Sequence, residues 1–275
     1  MSGPLAIIAG GGALPWDAAR AIGPRREVLV IAIEGEADAA PAGIPAHRFT
    51  FGQIGSARKL AHAHGCTEIL MLGHITKRPD FKALAPDRET LRLLPRIIKA
   101  VVGGDDSIVR RVAALVEAEG FRVVSVAEAV PELLAPKGAV GKHGPDAGQA
   151  ADIAVGTQFL DAAAPFDVGQ AVVVVEGRII AVEGAEGTDQ MLERVTALRA
   201  ARRFSGKPGR GVLVKRAKVG QDMRSDVPVV GRQTLELTLA AQLGGIAVEA
   251  GRTILAQRGE MAALADAKGA FVTAL

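Results

Sequence analysis

Apolar residues along the chain fall into short runs that alternate with longer stretches of helical period. Residues 5–9 (LAIIA) form an apolar run bounded by Pro4 and Gly10, the pattern of a buried strand. Gly10-Gly11-Gly12 follows, then a helical stretch from Leu14 to Ile22 with Pro15 in its first turn, a position that needs no backbone N–H. Val28 to Ile33 reads as a second strand, residues 54–64 as a helix, and Ile69 to Leu72 as a third strand that closes on Gly73. Two helices are expected near 88–101 and 106–119. In the second, Ile108, Val112, Leu115 and Val116 share one face while Arg110, Arg111 and Glu117 share the other. Residues 122–126 (RVVSV) suit another strand. Strands alternating with helices imply a parallel sheet covered on both faces, so the first part of this α/β chain is expected to be Rossmann-like.

The stretch 134–149 (LAPKGAVGKHGPDAGQ) has two prolines, four glycines and no helical period. We read a first domain over 1–135, a linker over 136–149 and a second domain over 150–275. In the second, residues 170–183 (QAVVVVEGRIIAVE) read as two strands joined at Glu176-Gly177, a hairpin signal. A helix is expected from about Thr188 to Ala200 with Leu192, Val195 and Leu198 inward. Gly211 to Lys215 reads as a strand and 216–227 as a charged irregular loop. Helix 232–242, strands 246–249 and 252–255, helix 259–267 and strand 270–273 complete a second, mixed α/β domain. There is no internal repeat and no low-complexity tract.

Composition narrows the chemistry. The 275 residues include eight Phe, one Trp and no Tyr, so stacking platforms for bases are nearly absent and nucleic acid is not an expected partner. The formal net charge of +3 permits an anionic substrate without requiring a polyanion. The single cysteine, Cys66, excludes an internal disulfide and a cysteine-built zinc cluster. His62 and His64 stand two apart, so they face different sides of a helix, and all five histidines read as structural or solvated. No apolar run approaches the roughly 20 residues of a membrane span. The start, MSGPLAIIAGGG, lacks the basic leader of a signal peptide. A cytoplasmic location is therefore expected.

Four places carry candidate chemistry. A glycine-rich turn between strand and helix lets backbone N–H groups approach an anion, and the helix dipole adds to the attraction. Gly10 and Gly12 match the opening of G-x-G-x-x-G, but Pro15 holds its last position. Glu34, at the end of the second strand, imitates a ribose-binding acid. A dinucleotide, another phosphate ligand and a merely tight turn all remain open there. Gly104-Asp105-Asp106-Ser107 precedes a helix, where one acid can serve as a cap and the other, Asp105 or Asp106, is left for function. Glu186-Gly187-Thr188-Asp189 also precedes a helix, and either a cap or a contact to substrate suits it. The strongest local signal is the segment from Lys215 to Asp226 (KRAKVGQDMRSD), in which six of twelve residues are charged with signs interleaved. Its Lys and Arg residues supply donors for phosphate oxygens. Asp222 and Asp226 supply hard oxygen ligands of the kind Mg2+ takes beside substrate phosphates. A solvated loop with surface ion pairs is the alternative. No G-x-S-x-G elbow occurs, and Cys66 has no local base motif, so serine or cysteine nucleophiles find no support.

Six blocks in order carry a resemblance: IAGGGALP (8–15), GHITKRPDF (73–81), GDDSIVRRV (104–112), DVGQAVVVVEGRIIAVEGAEGTDQML (167–192), VLVKRAKVGQDMRSDVPVVGRQT (212–234) and GGIAVEAG (244–251). Through them the chain resembles the UDP-2,3-diacylglucosamine pyrophosphatases of lipid A biosynthesis along essentially its whole length. The resemblance implies two domains with a UDP-linked diacyl sugar lipid held between them. It implies Mg2+-dependent hydrolysis to 2,3-diacylglucosamine 1-phosphate and UMP, with water attacking the sugar-side phosphorus. The family's essential aspartate falls on Asp226, and homodimers are expected. On that basis Asp226 is assigned to the metal or its water, with Asp222 as a second carboxylate. Lys215, Lys218 and Arg224 are assigned to the pyrophosphate, Gly11, Gly12, Gly73 and Thr188 to close backbone or hydroxyl contacts, and Asp105 to the uridine or glucosamine end. Contact with the inner membrane surface is expected to be transient. A nicotinamide-dependent oxidoreductase, or a non-catalytic nucleotide or lipid binder, is the rival reading.

Overall fold

The computed structural model describes residues 3–76, 85–101, 105–166, 168–218, 220–221, 223–224 and 226–275, and in two helices it leaves the side chains at 100, 101 and 105–109 outside that description. The chain divides into two compact units. One comprises Met1–Pro131 with Asp222–Asp226, and the other Glu132–Gln221 with Val227–Leu275.

In the first unit the elements run β1 (Leu5–Ala9), α1 (Leu14–Ile22), β2 (Val28–Ile33), β3 (Ala46–Phe49), α2 (Ile54–Ala63), β4 (Glu68–Leu72), α3 (Arg88–Val101), α4 (Asp105–Ala118), β5 (Arg122–Val123) and α5 (Val126–Ala129). The strands form one parallel sheet in the order β3-β2-β1-β4-β5. This is the strand order of the doubly wound dinucleotide fold, and the Rossmann-like expectation holds. The β1 run is buried on both faces, as its unbroken apolar sequence requires. On one face Ala6, Leu29, Ile31 and Ile69 pack with Ala61 of α2, Cys66 and Phe121. Strand β3 (AHRF) lies at the sheet edge with its two central residues exposed, so it has no apolar run to announce it.

The strand expected over 122–126 stops after Val123. Ser125 instead caps α5, accepting from the Glu128 N–H at 3.2 Å while the Glu128 carboxylate takes the Ser125 N–H at 3.2 Å. This reciprocal cap turns Val126 into a helix.

The second unit runs β6 (Gly138–Ala139), α6 (Ala147–Ala163), β7 (Ala171–Val175), β8 (Arg178–Val182), α7 (Gly187–Ala200), β9 (Val212–Lys215), β10 (Val229–Val230), α8 (Arg232–Ala240), β11 (Gly245–Val248), β12 (Ile254–Leu255), α9 (Arg258–Lys268) and β13 (Phe271–Ala274). Six strands make a mixed sheet in the order β6-β13-β11-β9-β7-β8, and β10 pairs separately with β12. Strands β9, β11 and β13 are parallel, while β7, β8 and β6 are joined antiparallel. The β7–β8 hairpin turns at Glu176-Gly177, both at positive φ (50° and 77°), which matches the twist of the strands. Strand β6 lies within the segment read as a linker and adds to β13.

Two apolar layers cover this sheet. Met191, Leu192 and Val195 of α7, Leu235 of α8, and Met261 and Ala265 of α9 pack on one face. Ile153 of α6 packs on the other with Val172, Val174, Val212 and Val214. Helix α6 had no counterpart in the sequence reading. Its N-terminus is fixed by a capping box, with Asp146 and Gln149 exchanging bonds of 2.8 Å. Gly156 lets it approach the sheet, because a Cβ there would lie 2.7 Å from Val214 Cγ2. The buried Asp152 carboxylate accepts the Glu176 and Gly177 N–H groups at 3.0 and 2.6 Å, which ties α6 to the hairpin turn.

In the first unit the start of α3 is held in a similar way. Asp87 accepts the Thr90 N–H at 2.6 Å, and the Ser56 N–H and hydroxyl at 3.0 and 2.6 Å. Burial alone would raise its pKa, but the hydrogen bonds from Ser56 and Thr90 outweigh it and lower the carboxyl to about 2. Its folded pKa lies below the unfolded value of about 3.9, so its stabilisation is complete above that pH and lost as pH falls toward 2. Asp87→Asn should lower stability near neutrality by about 1 kcal/mol. In denaturant titrations the gap between variant and wild type should close as pH falls from about 4 to about 2. A gap that persisted at the acid end would contradict this.

Candidate active site

The second unit brings two of the expected site residues into direct contact. Strand β8 runs parallel to β9 with β7 between them, so both end at the same edge of the sheet. Lys215 is the last residue of β9, and Glu183 follows the last residue of β8. Thr188 lies in the first turn of α7. The three side chains form one buried chain, with residue exposures of 7% for Lys215, 8% for Thr188 and 7% for Glu183. The Thr188 hydroxyl donates to Glu183 Oε1 at 2.7 Å and accepts from Lys215 Nζ at 3.0 Å. Lys215 Nζ also donates to the Val229 carbonyl at 3.0 Å, and Glu183 Oε2 accepts the Gln170 N–H at 2.8 Å. A hydroxyl has one proton and two lone pairs. With its hydrogen directed to Glu183, Thr188 presents lone-pair density to the ammonium and is one of the contacts that orient Lys215.

The Thr188 hydroxyl is engaged by Glu183 and Lys215 rather than by the backbone of α7. Glu186 is the N-cap of α7 without a side-chain bond, so Thr188 does not cap the helix. Asp189 accepts from Gln233 Nε2 at 3.0 Å. Glu183 was not among the residues singled out from the sequence. The available signal was an acid ending one apolar strand run and a lysine ending another.

In the first unit Gly11, Gly12 and Gly73 come together at the carboxyl ends of β1 and β4. Their backbones cross. The Gly11 N–H donates to the His74 carbonyl at 2.8 Å and the His74 N–H to the Gly11 carbonyl at 3.2 Å. The Gly10 N–H goes to Leu72 O at 2.8 Å, and the Gly12 N–H to Asp38 Oδ2 at 3.1 Å. The three amides that a glycine cradle would offer to an anion thus have protein partners. Only Gly12's partner is a side chain able to swing away, and Asp38 is exposed. Glu34 is exposed too, and its N–H serves the Phe49 carbonyl at 2.9 Å.

In the charged loop, the Lys218 N–H donates to Gln221 Oε1 at 2.7 Å and the Gln221 N–H to the Lys218 carbonyl at 3.2 Å, closing a tight turn after β9. Arg216, which the sequence reading did not choose, pairs with Asp161 at 3.0 Å and reaches Glu249 at 3.9 Å. Arg224 pairs with Glu117 of α4 at 2.8 Å, both in the first unit. Asp226 is half-buried. Asp222 lies outside the described residues, and of Asp105 only its place as the first residue of α4 is described. Among the remaining titratable groups, His62 stacks on Phe121 with centroids 4.3 Å apart. Burial, with Glu27 nearby, pushes the Cys66 thiol up, which suits an inert core side chain.

Among the described residues no three His, Cys, Asp or Glu side chains converge as a cage for an ion. Among its described residues the loop carries one carboxylate, that of Asp226. One hard oxygen donor fits Mg2+, which keeps several waters and takes its other ligands from substrate phosphates.

Fold and site together define a two-unit α/β protein with a buried Lys-Thr-Glu relay at the carboxyl edge of its second sheet. The LpxI N-terminal domain family model matches residues 4–133, and the LpxI C-terminal domain model matches residues 136–273. The chain belongs to the LpxI family. It is 38% identical over 269 residues to the UDP-2,3-diacylglucosamine pyrophosphatase LpxI of Caulobacter vibrioides, covering 98% of this chain and 96% of that protein.

Gly73 sits at φ +91°, and a Cβ there would lie 2.7 Å from the backbone of Gly10 and Gly11. Gly73→Ala should therefore cost about 1–3 kcal/mol in thermal or denaturant unfolding. An unchanged melting curve would show that the glycine is not needed for packing.

Proposed function

We propose that the chain hydrolyses UDP-2,3-diacylglucosamine to 2,3-diacylglucosamine 1-phosphate and UMP, within lipid A biosynthesis. The observation that carries this reading is the match of both family models in order, together with a relative of that name aligned over nearly the whole chain. The Lys215–Thr188–Glu183 relay supports it physically. A cation fixed at the carboxyl ends of strands is where an α/β sheet receives an anionic ligand.

In this reading Lys215, Lys218 and Arg224 take the pyrophosphate oxygens, and their positive charge offsets charge that builds on the leaving UMP. Thr188 and Glu183 hold Lys215 in place. Gly11, Gly12 and Gly73 allow close backbone approach, and for Gly12 this requires Asp38 to release its N–H. Asp105 meets the uridine or glucosamine end. Asp226 would hold Mg2+, with Asp222 as the second carboxylate. The ion, when bound, acidifies a water and neutralises phosphate charge. The water oxygen forms a bond to the sugar-side phosphorus, the bridging P–O bond breaks, and UMP departs with the bridging oxygen. The enzyme works as a homodimer in this account and meets its lipid at the inner membrane surface.

Incubation with UDP-2,3-diacylglucosamine and Mg2+ should release UMP, and in 18O-water the label should enter the lipid phosphate. Label in UMP instead would contradict attack at the sugar-side phosphorus. Asp226→Ala should lower turnover about 100-fold or more, the scale of losing one preorganised electrostatic contact, while substrate binding survives. Full activity in that variant would remove Asp226 from the mechanism. Thr188→Val and Glu183→Gln should each reduce kcat about tenfold or more, and Thr188→Ser should restore most of it, because the relay needs the hydroxyl and not the methyl group.

A further inference from the structure

Helix α3 (RETLRLLPRIIKAV) presents an unusual outer face. Thr90, Leu93 and Ile97 are buried and anchor it to the first unit. At about 100° per residue, Leu94, Ile98, Leu91 and Pro95 occupy one arc of roughly 100° beside them. Arg88, Lys99, Arg92 and Arg96 occupy the next arc of about 80°. Leu91 is 53% exposed and Ile98 39%, Pro95 is exposed, and Leu94 is half-buried. All four cations of the neighbouring arc are exposed. The helix has one acid, Glu89, and it is held by Lys59 at 3.2 Å, Arg58 at 3.5 Å and Arg92 at 3.6 Å. Arg96 reaches Glu119 at 3.2 Å. Arg88 and Lys99 make no ion pair with a described residue. An aliphatic strip beside a basic strip lies along one helix, and among the described residues no acid of that helix is left unpaired to oppose it.

We infer that this face of α3 seats the protein on the surface of an anionic lipid bilayer. Leu91, Leu94, Pro95 and Ile98 enter the boundary between headgroups and acyl chains. Arg88, Arg92, Arg96 and Lys99 bury their stems along it and keep their charges among the phosphates. Charge complementarity selects the occupant. Four cations beside an apolar strip match a sheet of anionic headgroups. The purpose of this surface rests on the lipid substrate proposed above, since a diacyl substrate resides in the bilayer from which the enzyme must take it. The affinity itself does not depend on that reading.

The test uses the full-length protein and vesicles of phosphatidylcholine, with or without about a third phosphatidylglycerol. Wild type should sediment with the anionic vesicles, and the bound fraction should fall several-fold without phosphatidylglycerol or in about 0.5 M salt. The pair Leu91→Glu and Ile98→Glu, and separately the pair Arg88→Glu and Lys99→Glu, should each abolish sedimentation. On UDP-2,3-diacylglucosamine dispersed in neutral detergent both double variants should match wild type, which also shows that they fold. On substrate embedded in anionic vesicles they should be about tenfold slower. Sedimentation equal to wild type in both double variants, or no binding by wild type, would overturn the inference. Absence of hydrolysis by wild type in detergent would instead overturn the proposed activity and leave the sedimentation result to decide the surface.

Discussion

A lysine that ends a strand inside a sheet edge, with only 7% of its surface exposed, has to be matched by polar partners or it destabilises the fold. Lys215 donates to the Thr188 hydroxyl and the Val229 carbonyl, and the Thr188 hydroxyl donates in turn to Glu183. Much of the second unit is arranged so that these groups coincide. The hairpin brings β8 back parallel to β9, so Glu183 and Lys215 emerge at the same edge. The start of α7 supplies the hydroxyl, and Gln170 supplies the amide that holds the far carboxylate oxygen. A chain of this kind orients a positive charge at the carboxyl end of β9.

The first unit solves a different problem with backbone alone. Its sheet has the strand order and the glycine turn of a dinucleotide fold, yet the amides of that turn are spent on Leu72, His74 and Asp38. The glycines allow two loops to cross at van der Waals distance, which explains Gly73 and Gly10 without a ligand. Similar sequence signals thus arise from packing and from phosphate binding, and only the hydrogen-bond partners separate them. Asp38 is the exposed side-chain partner of Gly12 in that turn.

Most elements were legible because their apolar runs have a clear period. The strands of both sheet centres, the Glu176-Gly177 hairpin and helices α3, α7 and α9 follow directly from the pattern. Strand β3 was missed because an edge strand with two exposed central residues has no apolar run. Helix α6 was missed for the opposite reason. Its sequence AGQAADIAVGTQFLDAA is small or apolar on almost every side, so no face stands out, and Gly156, which reads as a breaker, is a contact with Val214. The strand expected through 126 lost to a capping box at Ser125. In the site, Thr188 and Lys215 were visible as polar residues at element ends, but their joining through Glu183 was not. That juxtaposition depends on strand order and register, which a linear pattern does not contain.

In the proposed reaction Thr188 and Lys215 act as one unit on the diphosphate lipid. A double-mutant cycle measures this most directly, with Thr188→Val, Lys215→Ala and the double variant compared through kcat/KM on UDP-2,3-diacylglucosamine. If the relay sets the position of the ammonium, the losses are strongly non-additive, with a coupling of about 1 kcal/mol or more, because removing the hydroxyl costs little once the ammonium is gone. Losses that simply add would mean the two groups act independently, and the account built on the relay would fail.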